Sequence, residues 1–94
     1  MSKESIKRLI EGKRKENVTL RTKIETLKEQ KKRKTESLAR SIKSTTSASQ
    51  KEYYRKQKIS ESARYDREID SLKRKVEDVK RQIENYKKQL AAAK

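Results

Sequence analysis

The chain has 94 residues, of which 29 are Lys or Arg and 14 are Asp or Glu, giving a net charge of +15 at pH 7. Charged residues make up 46% and hydrophobic residues 29%, which allows one small domain but not a large globular core. Cys and His are absent and Gly occurs once, which excludes Ser-His-Asp or Cys-His catalysis, a Cys/His zinc site and a glycine-rich phosphate loop within this chain. We therefore expect no enzyme activity, no cofactor and no bound metal.

The first predicted helix covers residues 3–43 and carries an interrupted heptad repeat. Pro is absent and helix-forming residues are abundant, which favours long helices. With Ile24 at heptad position a, the apolar members of the stripe are Ile6, Ile10, Leu20, Leu27 and Leu38. The same frame puts polar side chains on the stripe at Lys13, Asn17, Lys31, Lys34 and Ser41. Residues 28–37 contain no apolar side chain, so we expect the loosest helix pairing there.

An uncharged polar cluster at residues 44–49 is the predicted turn. Small hydroxyl side chains compete for backbone hydrogen bonds and favour turns and helix caps. Ser49 with Glu52 three residues later fits a capping box, so the second helix should begin at residue 50. Residues 1–43 and 51–93 are equal in length, which favours an antiparallel hairpin. A single continuous helix is the alternative, because neither Pro nor Gly compels a break here.

The second predicted helix covers residues 50–93 and has an unbroken heptad stripe from Ile69 onward. Apolar side chains recur there in alternating steps of three and four, with Ile59 off the stripe. Together the two helices predict an antiparallel hairpin coiled coil, with 1–94 as a single unit. The residues expected to form its hairpin and oligomer seam are Ile10, Leu20, Ile24, Leu27, Ile69, Leu72, Val76, Val79, Ile83, Tyr86 and Leu90.

Stability considerations predict that this hairpin associates with further copies. Burying an aliphatic side chain contributes roughly 1.5–3 kcal/mol, whereas ordering one residue of backbone costs about 1–2 kcal/mol. A hairpin with one stripe per helix and a charge of +15 is therefore marginal by itself. We expect a homodimer or larger homo-oligomer, with helices packed as a four-helix bundle or larger assembly.

The residues around the turn carry a resemblance to a known family. The segment Ile42-Lys43-Ser44-Thr45-Thr46-Ser47-Ala48-Ser49, followed by Tyr54-Arg55-Lys56 and the heptads from Ile69, resembles the N-terminal coiled-coil hairpin that precedes the Toll/interleukin-1 receptor (TIR) domain in many bacterial proteins. In that family a Ser/Thr-rich tip joins two basic helices, and the hairpin is thought to assemble a downstream effector.

The resemblance implies a non-catalytic oligomerisation and assembly module, serving as a scaffold for a bacterial immune effector domain. The sequence in hand contains no TIR domain, and nucleotide-cleaving activity in such families belongs to that domain. No catalytic residue therefore carries over to this chain. Two alternatives stay open, namely part of a longer effector protein and a stand-alone scaffold.

Nonspecific nucleic-acid binding is the alternative function, and an acidic protein partner would use the same charges. Lys and Arg can neutralise phosphates without reading sequence, and Tyr can stack on an unpaired base. The plain interpretation of such charge runs is a solvated helix face. The residues concerned are Lys31, Lys32, Arg33, Lys34, Tyr54, Arg55 and Lys56.

A third interpretation and the expected location complete the sequence-based predictions. Length and hairpin shape are similar to the small helical partners of type VII secretion, although the Trp-x-Gly turn of that family is absent. No export or anchoring signal is visible at the N-terminus, where the adjacent apolar run is only Leu9 and Ile10. The narrow apolar stripe lacks Trp and Phe, so we expect no membrane insertion and a cytoplasmic location.

Overall fold

A computed structural model describes residues 1–93 and shows two α-helices, with no β-strand in that range. Helix α1 spans Lys3–Ser44 and helix α2 spans Ala48–Ala92. Residues 45–47 connect the two helices. The predicted all-α helical hairpin is therefore confirmed. Residue 94, which the predicted 1–94 unit includes, lies outside the described residues.

Hydroxyl side chains mark the beginning of α1. The Ser5 backbone N–H donates a hydrogen bond of 3.1 Å to Ser2 Oγ, and the Ile6 N–H donates one of 3.1 Å to the Ser2 carbonyl. Ser2 thus satisfies backbone donors that a helix N-terminus otherwise leaves unpaired. At the other end, the Thr45 N–H donates to the Ser41 carbonyl at 3.1 Å, and α1 ends at Ser44, one residue later than predicted.

Helix α2 begins two residues earlier than predicted, and a different serine caps it. The Gln50 N–H donates to Ser47 Oγ at 3.3 Å, and the Lys51 N–H donates to the Ser47 carbonyl at 3.0 Å. The prediction that Ser49 is the cap is therefore wrong, and the turn is 45–47 rather than 44–49. Thr45 Oγ1 accepts the Ser47 N–H at 3.3 Å, which holds Ser47 in the capping position and allows a shorter turn.

The packing divides the described chain into two compact units. Unit 1 combines Met1–Ile24 with the chain from Ser71 onward, and unit 2 is Glu25–Asp70. In unit 1, α1 and α2 each present a buried stripe with the predicted heptad spacing. The buried side chains of unit 1 are Ile6, Ile10, Asn17, Leu20, Ile24, Val76, Val79 and Ile83.

Unit 2 has a smaller core, in which only Leu38, Tyr65 and Ile69 are buried hydrophobic residues among those described. The heptad frame predicted Lys34 on the stripe, but Lys34 is exposed and Thr35 is half-buried instead. Ile24, Lys31 and Leu38 nevertheless keep the seven-residue spacing, so only the position between Lys31 and Leu38 shifts, by one residue. Residues 28–37 supply no apolar side chain that would fix which position is covered there.

We expect Ser47→Ala to lower the free energy of unfolding by about 1 kcal/mol, because it removes the side-chain acceptor that caps α2. Ser49→Ala is the matched control and should cost clearly less, since among the described residues the Ser49 hydroxyl has a hydrogen bond of 3.1 Å with the Ser47 hydroxyl and no bond to a backbone N–H. Urea unfolding followed by circular dichroism measures both changes. A larger loss for Ser49→Ala would contradict the assignment of Ser47 as the cap.

Val76→Asp should lower the free energy of unfolding by at least about 2 kcal/mol, because it buries an unpaired carboxylate at a side chain that is 6% exposed. Val18→Asp makes the same chemical change in unit 1 at a side chain that is 65% exposed, and should change it by less than about 0.5 kcal/mol. Thermal and urea unfolding of both variants supply the comparison. Equal losses would show that the stripe does not carry the stability of unit 1.

Candidate interaction site

The residues predicted to form the seam differ in their burial. The buried members are Ile10, Leu20, Ile24, Ile69, Val76, Val79 and Ile83. The half-buried members are Leu27, Leu72, Tyr86 and Leu90. The half-buried members keep part of their apolar surface in contact with water. The seam therefore leaves some apolar surface that a further helix could cover.

The first basic segment proposed for polyanion contact is divided between internal pairing and exposure. Lys31 is half-buried, and its Nζ lies 2.6 Å from Asp66 Oδ1, which joins α1 to α2 within unit 2. Arg33 Nε lies 3.2 Å from Glu29 Oε1, which is also on α1. Lys32 and Lys34 are exposed. Of this segment, Lys32 and Lys34 are the side chains best placed to meet an acidic partner.

The two neighbouring tyrosines of the second proposed segment differ in exposure. Tyr54 is half-buried, whereas Tyr53 is 59% exposed, and the two ring centroids lie 5.6 Å apart in an edge-to-face arrangement. Lys56 Nζ lies 3.9 Å from Glu52, and Arg55 is exposed. The ring available for stacking is therefore that of Tyr53, which the heptad frame gave no reason to prefer.

A charged cluster on α2 lies beside the core of unit 2. Arg64 donates hydrogen bonds to Glu61 at 2.8 Å and to Glu68 at 3.2 Å, and its guanidinium lies 4.4 Å from the centroid of the Tyr65 ring. The hydrogen bond from Arg64 lowers the pKa of the Glu61 carboxyl from its ordinary value. The same bond, with a further contribution from Tyr65, raises the pKa of Arg64. The cluster therefore keeps the carboxyl group of the half-buried Glu61 in its charged form.

A groove of about 660 Å³ on unit 2 exposes apolar side chains. Its most exposed member is Ile59, with 72% of its surface in contact with water. The only signal in the sequence was that Ile59 falls off the heptad stripe. We call it the Ile59 groove, and its lining residues are Ile42, Arg55, Lys58, Ile59, Ser62, Ala63 and Asp66.

A second groove, of about 510 Å³, lies in unit 1 around a buried amide. Asn17 is 7% exposed, and its Oδ1 has no hydrogen-bond partner among the described residues. Sequence reasoning placed Asn17 on the stripe but could not show that its amide would lack a partner. We call this the Asn17 groove, and its lining residues are Arg14, Asn17, Val18, Arg21, Lys80, Ile83, Glu84 and Lys87.

Comparison with known proteins adds no identity to these surfaces. No family model, curated protein or solved structure matches the chain. Within residues 1–93, neither helix contains a stretch that is both long enough and apolar enough to cross a bilayer. Across the same residues, no group of three or more acidic side chains is arranged to hold a metal ion. The two grooves and the exposed charges are thus the features from which function can be argued.

Glu61→Gln should make the chain less sensitive to acid. The pKa of Glu61 is lower in the folded chain than its ordinary value of 4.5. The Glu61 carboxylate therefore stabilises the fold at pH values above 4.5, and this contribution is lost as the pH falls through the folded-state pKa. Between about pH 7 and about pH 3 the melting temperature should therefore fall less in Glu61→Gln than in the natural chain. Glu11→Gln, which removes an exposed carboxylate from α1, is the control. Identical acid sensitivity in Glu61→Gln and the natural chain would contradict this role.

Proposed function

We propose that this chain is a non-catalytic, coiled-coil assembly module that associates with further copies of itself through the Ile59 groove. The observation that carries the proposal is the position of Ile59, a large apolar side chain that is 72% exposed beside Ile42 and Ala63. Exposed apolar surface that is rimmed by polar side chains is typical of protein interaction sites. In a chain with 46% charged residues, such a grouping points to a partner.

The small core of unit 2 supports the need for that partner. Leu38, Tyr65 and Ile69 are its buried hydrophobic residues, and none of them falls below 2% exposure. Each aliphatic side chain that a partner covers would contribute roughly 1.5–3 kcal/mol. Covering Ile59 and its neighbours would therefore add a large fraction of the stabilisation that unit 2 obtains from its own core.

The charges around the Ile59 groove favour a second copy as its occupant. Arg55 and Lys58 lie on its rim together with Asp66, so the groove carries both signs of charge. In a two-fold contact each groove meets its own equivalent, which can place Lys58 of one copy near Asp66 of the other, where it would add to the ion pair that Asp66 already makes with Lys31. Ile59 would then pack against its counterpart, and a pair of hairpins would form a four-helix bundle.

The resemblance to hairpins that precede TIR domains suggests what such assembly achieves. A module that pairs its copies raises the local concentration of any domain joined to it. In this proposal the hairpin serves as a scaffold for a bacterial immune effector domain, and the chemistry resides in that domain. The support lies in the Ser/Thr-rich turn between two basic helices, together with the heptads of α2.

Nonspecific nucleic-acid binding is the second candidate function, favoured by the exposure of Lys32, Lys34 and the Tyr53 ring. Lysine contacts to phosphates depend strongly on salt, and an exposed aromatic ring can stack on an unpaired base. In this candidate, copies of the chain would come together along a shared nucleic acid. Treatment with nuclease distinguishes that arrangement from direct self-association.

Ile59→Glu should convert the natural oligomer to monomers and weaken self-association at least tenfold, because it places a carboxylate in the apolar contact. Ser60→Glu is the matched control, since it adds the same charge at the neighbouring exposed position and should leave association unchanged. Size-exclusion chromatography with light scattering, at several micromolar concentrations and after nuclease treatment, gives the masses. A natural chain that is monomeric throughout would overturn the proposal, as would an Ile59→Glu variant that still associates.

A further inference from the structure

The Asn17 groove is bordered by cations from both helices of unit 1. Helix α1 contributes Arg14 and Arg21, and helix α2 contributes Lys80 and Lys87. Side chains seven residues apart lie on the same side of a helix and are separated by about 10 Å along its axis. Each helix therefore presents two cations at the same axial spacing. The groove offers an acidic partner two positions of positive charge on each side.

The four cations differ in how far they are already neutralised. Lys80 Nζ lies 3.2 Å from Glu77, and Lys87 Nζ lies 3.3 Å from Glu84. Arg14 and Arg21 form no ion pair within the part of the chain that the structure describes. Arginine can bind a carboxylate through two parallel hydrogen bonds, which makes it the stronger of the two cations for this purpose. The arginines of α1 are thus the main anchor for a negatively charged ligand.

Between the cations the groove provides an unpartnered amide and apolar surface. Asn17 is more than nine-tenths buried, yet its Oδ1 accepts no hydrogen bond from the described residues. A buried acceptor without a donor is unfavourable, but this oxygen is itself covered by the protein, so a ligand in the groove meets the cations and Val18 instead. Of the two apolar residues that line the groove, Val18 is 65% exposed and supplies the apolar contact, whereas Ile83 is 8% exposed and supplies little.

We propose that the Asn17 groove binds an acidic amphipathic helix of another protein. Its carboxylates, seven residues apart, would meet Arg14 and Arg21, while its apolar side packs on Val18. Carboxylates at that spacing repeat every 10 Å or so along a helix, as the cations do. The inference rests on the proposed assembly function, for which it names a partner, but it depends on residues other than those of the Ile59 groove.

The composition of the groove favours an acidic helix over its two competitors. A phosphate backbone would use the cations but not the apolar surface of Val18 and Ile83. A second copy carries the same net charge of +15. Its carboxylates at Glu77 and Glu84 are already paired with lysines of their own helix. The approach of another copy would therefore bring together mainly like charges.

The test uses the full chain and a synthetic helical peptide of about 21 residues, which is three heptads. The peptide has Glu at every seventh position and a Gln between successive Glu residues. A matched peptide carries Gln in place of Glu. We expect the acidic peptide to bind and the Gln peptide to bind at least tenfold more weakly, as measured by fluorescence anisotropy. In nitrogen-15 NMR spectra, the side-chain amide signals of Asn17 should shift on addition of the acidic peptide, which needs no variant.

The double variant Arg14→Glu, Arg21→Glu should weaken binding of the acidic peptide at least tenfold. Arg8→Glu, Lys15→Glu is the matched control, because it makes the same change in net charge at the same spacing on α1, at exposed positions outside the groove. The control should weaken binding less than threefold. Circular dichroism verifies that both variants are helical.

Three results would overturn the inference. The first is that both double variants weaken binding of the acidic peptide equally. The second is that the acidic peptide does not bind at all. The third is that a single-stranded oligonucleotide binds through Arg14 and Arg21 where the peptide does not. Self-association of the same variants is measured in parallel. Loss of peptide binding with intact self-association, or the reverse, separates failure of this inference from failure of the proposed assembly function.

Discussion

Contact between narrow apolar stripes on α1 and α2 is the interaction on which the hairpin depends. Buried hydrophobic residues occur at heptad spacing in unit 1 and are few in unit 2. Most of the remaining residues are polar, and with a charge of +15 the chain repels itself. Ion pairs within each helix, such as that of Glu77 with Lys80, are exposed and contribute little. A small loss of stripe contact therefore matters more here than in a globular domain.

Because apolar contacts between the helices are few, the polar side chains on the stripe are informative about how the helices pair. Asn17 occupies a position where an aliphatic side chain would pack better, and its amide is left without a partner among the described residues. Polar residues at heptad position a lower stability but restrict how helices can pair. In unit 2, Lys31 serves a similar purpose, because its ion pair with Asp66 joins the two helices where apolar contacts are few. Each unit thus has a polar side chain at a position where an apolar one would pack better.

The two proposals give the chain one homotypic and one heterotypic contact, each in its own groove. The Ile59 groove carries both signs of charge on its rim, which suits a contact between identical surfaces. The Asn17 groove carries mostly positive charge, which suits a different and acidic molecule. In these proposals the hairpin pairs with its own kind and holds a second protein through separate sets of residues.

Helical state, the approximate ends of both helices and most of the buried stripe were accessible from the sequence, because they follow from local propensity and from periodicity that accumulates over many residues. The structure adds one local feature, the cap at Ser47, which hydrogen bonds within the turn determine. Three features were decided only by tertiary structure: Thr35 in place of Lys34, the greater exposure of Tyr53 than of Tyr54, and the unpartnered Oδ1 of Asn17. These three depend on which surface of one helix meets the other. Where apolar residues are absent, as in 28–37, periodicity does not specify that meeting, so only the packed helices determine which side chains are covered.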